Sequence, residues 1–173
     1  MELKIKICIC SIFIMILNSL NCSSDKSYIK NDSIDLENNV IVAILPFKNN
    51  STNREYDAFS KNLADLISVK LSSSKRLKVV ERQEINRIIE EITISQSGIT
   101  EQNTVLEIGK MLGANIMGFG SFTTLGEKVI LTLRLVKVET GEIIGGVNER
   151  NDNILNIDIL AENTANKVLA SIE

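Results

Sequence analysis

From Val40 to Phe47 the chain reads Val-Ile-Val-Ala-Ile-Leu-Pro-Phe, a run without one polar side chain. A strand with one wetted face alternates apolar and polar residues, so an unbroken apolar run of this length has to be covered on both faces. Pro46 brings no amide hydrogen to a sheet and marks the strand's end. The run predicts a central strand with helices above and below it. After a loop, Thr52-Asn53-Arg54-Glu55 has the spacing of a capping box, and Tyr56, Phe59, Leu63, Leu66, Ile67 and Leu71 then recur at helical spacing. A strand followed by a capped helix implies α/β order.

The rest of the chain continues the pattern. Leu77 to Val80 predicts a short second strand, and from Arg82 a helix carries Ile85, Ile88, Ile89 and Ile92 on one side and charge on the other. A third helix, Thr100 to Leu112, buries Val105, Ile108, Met111 and Leu112 and stops at Gly113, a residue suited to a left-handed terminus. Asn115–Thr124, Val129–Val138 and Glu142–Asn148 predict an antiparallel meander, joined by turns at Leu125–Lys128 and Glu139–Glu142. A last helix from Ile157 aligns Leu160, Ala161, Thr164, Val168, Leu169 and Ile172 on one stripe. The expected fold is a single α/β domain over residues 40–173. It is three-layer-like, with a mixed sheet of about five strands whose C-terminal meander is packed by helices.

The N-terminal residues are of another kind. Lys4 and Lys6 precede an apolar run from Ile7 to Leu17, the layout of a secretory signal. As a helix that run covers about 16 Å against roughly 30 Å of hydrocarbon, too short to span comfortably. Leu17-Asn18-Ser19-Leu20-Asn21-Cys22 then gives way to polar Ser23-Ser24-Asp25-Lys26. This resembles a bacterial lipobox, although Asn21 replaces the usual small residue and Leu20 is large. Residues 1–21 are thus expected to be a lipoprotein signal peptide. Cys22 is the lipid attachment site, bearing acyl chains such as palmitate on its sulfur and amine. The competing readings are a free thiol beside an ordinary cleavage site, or an uncleaved segment. Cys8 and Cys10 lie inside the apolar run, so the mature chain keeps one cysteine and no internal disulfide. Residues 22–39 are polar and without period, and are expected to be a tether of mean span about 20–25 Å.

Composition narrows the chemistry. The formal charge of -3 becomes about -4 when Lys4 and Lys6 leave with Glu2. Such a balance has no phosphate-neutralising footprint. With no Trp and only 5 Phe and 2 Tyr, stacking platforms for nucleic acid are not expected either. Histidine is absent, which removes the usual acid–base group and the commonest metal ligand. Gly118-x-Gly120 sits in a strand pattern and reads as backbone packed closely against a helix rather than as a phosphate cradle. Glu81 and Arg82 read as structural or interface residues, Glu90-Glu91 as solvated, and Ser72-Ser73-Ser74 as a helix-end loop. No catalytic, cofactor-binding or metal-ligating residue is assigned, and the chain is not expected to be an enzyme.

Five segments together resemble the CsgG/HfaB family of curli-type assembly and transport lipoproteins. They are Val42-Ala43-Ile44-Leu45-Pro46-Phe47, Val79-Val80-Glu81-Arg82, Ile108–Ala114, Gly118-Phe119-Gly120-Ser121 and Val136–Glu142. The resemblance implies a lipid-anchored α/β domain on the periplasmic face of an outer membrane, without enzymatic activity. The channel-forming members carry amphipathic hairpins that cross the membrane, and this chain passes between core elements without such inserts. Its one candidate hairpin, Asn115 to Val138, is read as a half-buried part of the domain's own sheet. Three functions are weighed. The first is assembly or transport of surface structures (a curli-type secretion component), by homo-oligomerisation or by docking on protein partners of the envelope. The second is a regulatory lipoprotein that activates a peptidoglycan synthase, or a flagellar outer-membrane lipoprotein. The last is a hydrolase using carboxylates alone.

Overall fold

The computed structural model describes residues 29–30, 39–95 and 102–172. In order, the elements are strands β1 (Ile29–Lys30), β2 (Val40–Ile44) and β3 (Lys48–Asn49), a 3-10 turn (Arg54–Tyr56) and helix α1 (Asp57–Leu71). Strand β4 (Leu77–Val79) and helices α2 (Arg82–Ser95) and α3 (Gln102–Met111) follow. Strands β5 (Ile116–Leu125), β6 (Lys128–Lys137) and β7 (Ile143–Asn151) and helix α4 (Ile157–Ile172) complete the chain. One mixed sheet runs β1-β7-β6-β5-β2-β4, with β3 also on β5. It has two strands more than the sequence predicts, each only two residues long. β3 lies in the predicted loop, and β1, which pairs with Gly145 and Gly146 of β7, lies within the stretch read as tether.

β2 sits between parallel neighbours β4 and β5. Val42, Ala43 and Ile44 are wholly excluded from solvent, as the apolar run requires. Val42 and Ile44 face one core, with α1 residues Leu63, Ile67 and Leu71 and α4 residues Leu160, Ala165 and Val168. Ala43 and Leu45 face the other, built from Ile85, Ile88 and Ile92 of α2 and Val105 and Ile108 of α3. Each fully buried aliphatic side chain contributes about 1.5–3 kcal/mol. The row Val129, Leu131, Leu133 and Leu135 of β6 is buried beneath α1 and α4, so the candidate hairpin's regular apolar row faces the core rather than lipid.

Three local expectations change. Asn53, not Thr52, makes the cap: its Oδ1 accepts from the Glu55 N–H at 2.9 Å, and a 3-10 turn precedes α1. An Asn side chain reaches the amide two residues on without needing the full box. Met111 is 42 % exposed because it lies at the margin of the stripe formed by Thr104, Val105, Ile108 and Gly109. Gly118 and Gly120 pack against neighbouring strands, not a helix. A Cβ on Gly118 would meet Ile44 Cδ1 at 2.4 Å, and one on Gly120 would meet the Thr132 carbonyl oxygen at 1.9 Å. The glycine that brings a helix to the sheet is Gly109 of α3, whose Cβ would strike Met117 and Val138. Gly113 adopts φ 62°, ending α3 as predicted.

Arg82 ties the layers together where β2 and β4 send their chains to opposite faces. At the start of α2, its Nε donates to Asp65 Oδ1 on α1, and its Nη1 donates to the Ile44 carbonyl at 3.2 Å. The side chain is 19 % exposed, and its Nη2 is buried without a partner among the described residues.

Two stability outcomes follow, each measured by chemical denaturation. Gly120→Ala has to displace β6 backbone and is expected to cost about 1–3 kcal/mol or more, whereas Gly118→Ala meets only a side-chain end and costs less. Arg82→Ala strands a β2 carbonyl and is expected to cost about 1–3 kcal/mol, the half-exposed Asp65 holding the loss within that range. Arg82→Lys recovers only part, since one ammonium does not reproduce the guanidinium fork.

Candidate functional site

The two faces of the meander differ. On one face β5, β6 and β7 send Gly118, Leu135 and Gly145, then Gly120, Leu133 and Val147, into the core under α4. Directly opposed residues on antiparallel strands share a face, so the intervening rows lie on the other side. Those rows are Phe119, Arg134 and Gly146; Ser121, Thr132 and Asn148; and Thr123, Ile130 and Arg150. None of the nine is buried. α2 and α3 cover β2, the start of β5 and the end of β6, with Phe119 packed at the margin of their core, and leave the rest of these rows open among the described residues.

Where the open face meets α2 and α3 lies a crevice of about 350 Å³. The chain leaving β2 forms its upper wall. Leu45 N–H donates to the Gly118 carbonyl at 2.8 Å, β3 pairs with Ser121 and Phe122, and Asn50 N–H donates to the Phe122 carbonyl at 2.9 Å. Leu45, Ile89, Val105 and Phe119 line it with apolar surface, and Lys48 and Arg134 stand on its rim. Neither cation, nor Arg150 further along the face, makes an ion pair among the described residues. The three rows hold no carboxylate. An acidic chain thus presents one uncompensated basic face with an apolar notch, a surface suited to holding an acidic partner.

The outer side of α2 has the opposite sign. Glu84, Glu90 and Glu91 are exposed there with a single cation, Arg87, which donates to Glu84 at 2.6 Å and to Glu91 at 3.4 Å. The hydrogen bond from Arg87 holds the Glu84 carboxyl below its ordinary value. Glu90 and Glu91 are therefore solvated side chains on a helix exterior, as their spacing predicts. Glu81 is exposed and Arg82 braces the fold. Ser72 and Ser73 donate to the Val69 and Lys70 carbonyls at 2.7 Å, closing α1. A groove of about 400 Å³ brings Ser72, Glu81 and Arg82 together with Asp65 and Val69, while Glu84, Glu90 and Glu91 lie outside it. Cys22, the expected lipid site, and residues 1–21, the expected signal peptide, lie outside the described residues. Among the described residues, no group of three or more His, Cys, Asp or Glu is placed to hold a metal, and no helix is long and apolar enough to cross a membrane.

Lys48, Arg134 and Arg150 did not emerge as site residues from the sequence. The available signal was in β6, where Ile130, Thr132 and Arg134 alternate with the apolar row and Arg134 is too polar for a face covered by helices.

Comparison with known proteins supports the same architecture. The fold is similar to the LpoB C-terminal domain from Escherichia coli, with a TM-score of 0.54, 16% identity, and coverage of 70% of this chain and 87% of that one. It is also similar to the PelC dodecamer from Paraburkholderia phytofirmans, with a TM-score of 0.52, 10% identity, and coverage of 84% and 94%. Lipoprotein GNA1162 from Neisseria meningitidis matches with a TM-score of 0.50, 16% identity, and coverage of 78% and 99%. At these identities the likeness is one of fold. No curated protein sequence matches. Residues 24–130 match the family described as "Curli production assembly/transport component CsgG", and the chain belongs to the CsgG family.

Proposed function

We propose that the chain is a non-enzymatic lipoprotein of the cell envelope, held by lipid on Cys22 at the periplasmic face of the outer membrane. It assembles with further copies of itself as part of machinery that exports or builds surface structures. The observation that carries this reading is the open basic face of the meander, with Lys48, Arg134 and Arg150 in no ion pair among the described residues, in a domain whose α2 exterior is acidic. A heterologous ring needs two different complementary faces on each subunit, and these two have opposite charge. The family's description as an assembly and transport component supports the reading, as does a shared fold with a protein that forms a dodecamer.

Activation of a peptidoglycan synthase is the second reading, supported by the fold shared with the LpoB C-terminal domain. Pairing of Ile29 and Lys30 with β7 fixes the chain seven residue steps after Cys22, a separation of at most about 25 Å, which suits a short reach better than a long one. Synthase activity unchanged by the purified domain would dispose of it.

The mature chain is expected to fractionate with membranes and Cys22→Ala with soluble protein; a Cys22→Ala variant that stays on the membrane would refute the anchor. Light scattering on the lipid-free domain is expected to detect assemblies that weaken with salt. The pair Arg134→Glu and Arg150→Glu should reduce them to single subunits with unchanged stability, and adding Glu90→Lys and Glu91→Lys should restore them. A wild-type domain that remains single at high concentration, and co-purifies with no envelope secretion protein, would overturn the assembly reading.

A further inference from the structure

We propose that the domain stands on the membrane on one particular end: the end bearing the β5–β6 turn, where Leu125 and Leu155 enter the headgroup layer of the leaflet that holds Cys22. The inference rests on the lipid-anchor reading and adds an orientation to it.

The direction of β1 sets the geometry. It runs antiparallel to β7, with Ile29 opposite Gly146 and Lys30 opposite Gly145. The chain therefore enters β1 from the Asn151 end of β7, the end that carries the β5–β6 turn. Cys22 to Ile29 is seven residue steps, at most about 25 Å when fully extended. Gly146 to Asn151 takes five strand steps, about 17 Å. A chain running beside β7 brings Cys22 no more than about 8 Å beyond the end of the sheet. With β1 in place, the bilayer that holds the lipid lies against the domain.

Side-chain exposure then selects the surface that meets it. Among the described residues, the large apolar side chains more than half exposed are Leu155 at 78%, Val69 at 70%, Leu125 at 65% and Ile159 at 52%. Three of the four belong to this end: Leu125 at the β5–β6 turn, Leu155 in the loop after β7, and Ile159 in the first turn of α4. The first two are on segments fixed to each other, because Ile154 N–H donates to the Glu127 carbonyl at 2.8 Å while Ile154 itself is buried. An ion pair between Lys128 and Asp152 at 3.3 Å spans the same junction. Water-exposed leucines on a braced turn, within reach of an acylated residue, match the chemistry of a lipid headgroup–acyl boundary. The open basic face stands roughly perpendicular to this end, so membrane seating leaves it free for a neighbouring copy.

The test uses the mature lipidated chain in vesicles of phosphatidylethanolamine and phosphatidylglycerol. The protein contains no Trp, so single substitutions Leu125→Trp, Leu155→Trp and Met111→Trp each report one position; Met111 lies at the C-terminal end of α3. Sedimentation with vesicles measures anchoring, and fluorescence measures depth. The expected result is co-sedimentation of all three, with blue-shifted emission quenched by brominated lipid for Leu125→Trp and Leu155→Trp and water-like, unquenched emission for Met111→Trp. Co-sedimentation with unquenched Leu125→Trp and Leu155→Trp, or with Met111→Trp quenched instead, overturns the orientation while leaving the anchor standing. Lipidated protein that fails to sediment overturns both.

Discussion

A strand that offers no side to water dictates most of this molecule. Val42, Ala43 and Ile44 are fully buried, and nothing but packed side chains on both faces of β2 satisfies them. The chain meets that demand by sending the connection after β2 to one face as α1 and the connection after β4 to the other as α2 and α3. Parallel neighbours on both sides follow, since each crossover returns the chain in the direction it left. Arg82 stands where the two connections part. It is bonded to a β2 carbonyl and to Asp65 of α1, so one side chain holds β2 and two helices on opposite faces.

The meander obeys a looser rule, and the surface for function arises there. Its strands bury one face along most of their length, and α4, held by Lys70–Glu162 and by Lys167 and Asn163 on Glu149, covers that face. The reverse face is left in polar and half-exposed residues. Gly120 lets β5 and β6 approach at a point where a Cβ would collide with the Thr132 carbonyl, just beneath the crevice. The site is thus a by-product of layer economy: among the described residues two helices cover this face of the sheet only in part, and the uncovered part carries arginines in no ion pair.

Much of the fold was legible because it rests on periodicity. The β6 alternation identified its buried row, the isoleucines of α2 identified that helix's inner side, and Gly113 identified the end of α3. Departures occur where a local competitor was invisible to pattern. Asn53 reached the Glu55 amide and displaced Thr52 as the cap. Gly118 and Gly120 meet strands where the pattern predicts a helix, because sequence spacing does not say which neighbour presses on a glycine. β1 and β3 are two-residue pairings with no apolar pattern of their own, and only the sheet edge and the β5 backbone beside them make them strands.

By itself the sequence determined the α/β class, the central strand, the buried faces of the helices, the antiparallel meander and the absence of histidine chemistry. It did so because burial and strand or helix period are properties of short stretches. Only the tertiary structure decided that Lys48, Arg134 and Arg150 share one face whose described rows hold no carboxylate, that Arg82 joins Ile44 to Asp65, and that Ile29 enters the sheet from the end bearing Leu125 and Leu155. Those are relations between residues 16 to 126 positions apart, set by strand register and by which layers cover which strands, and no local pattern encodes them.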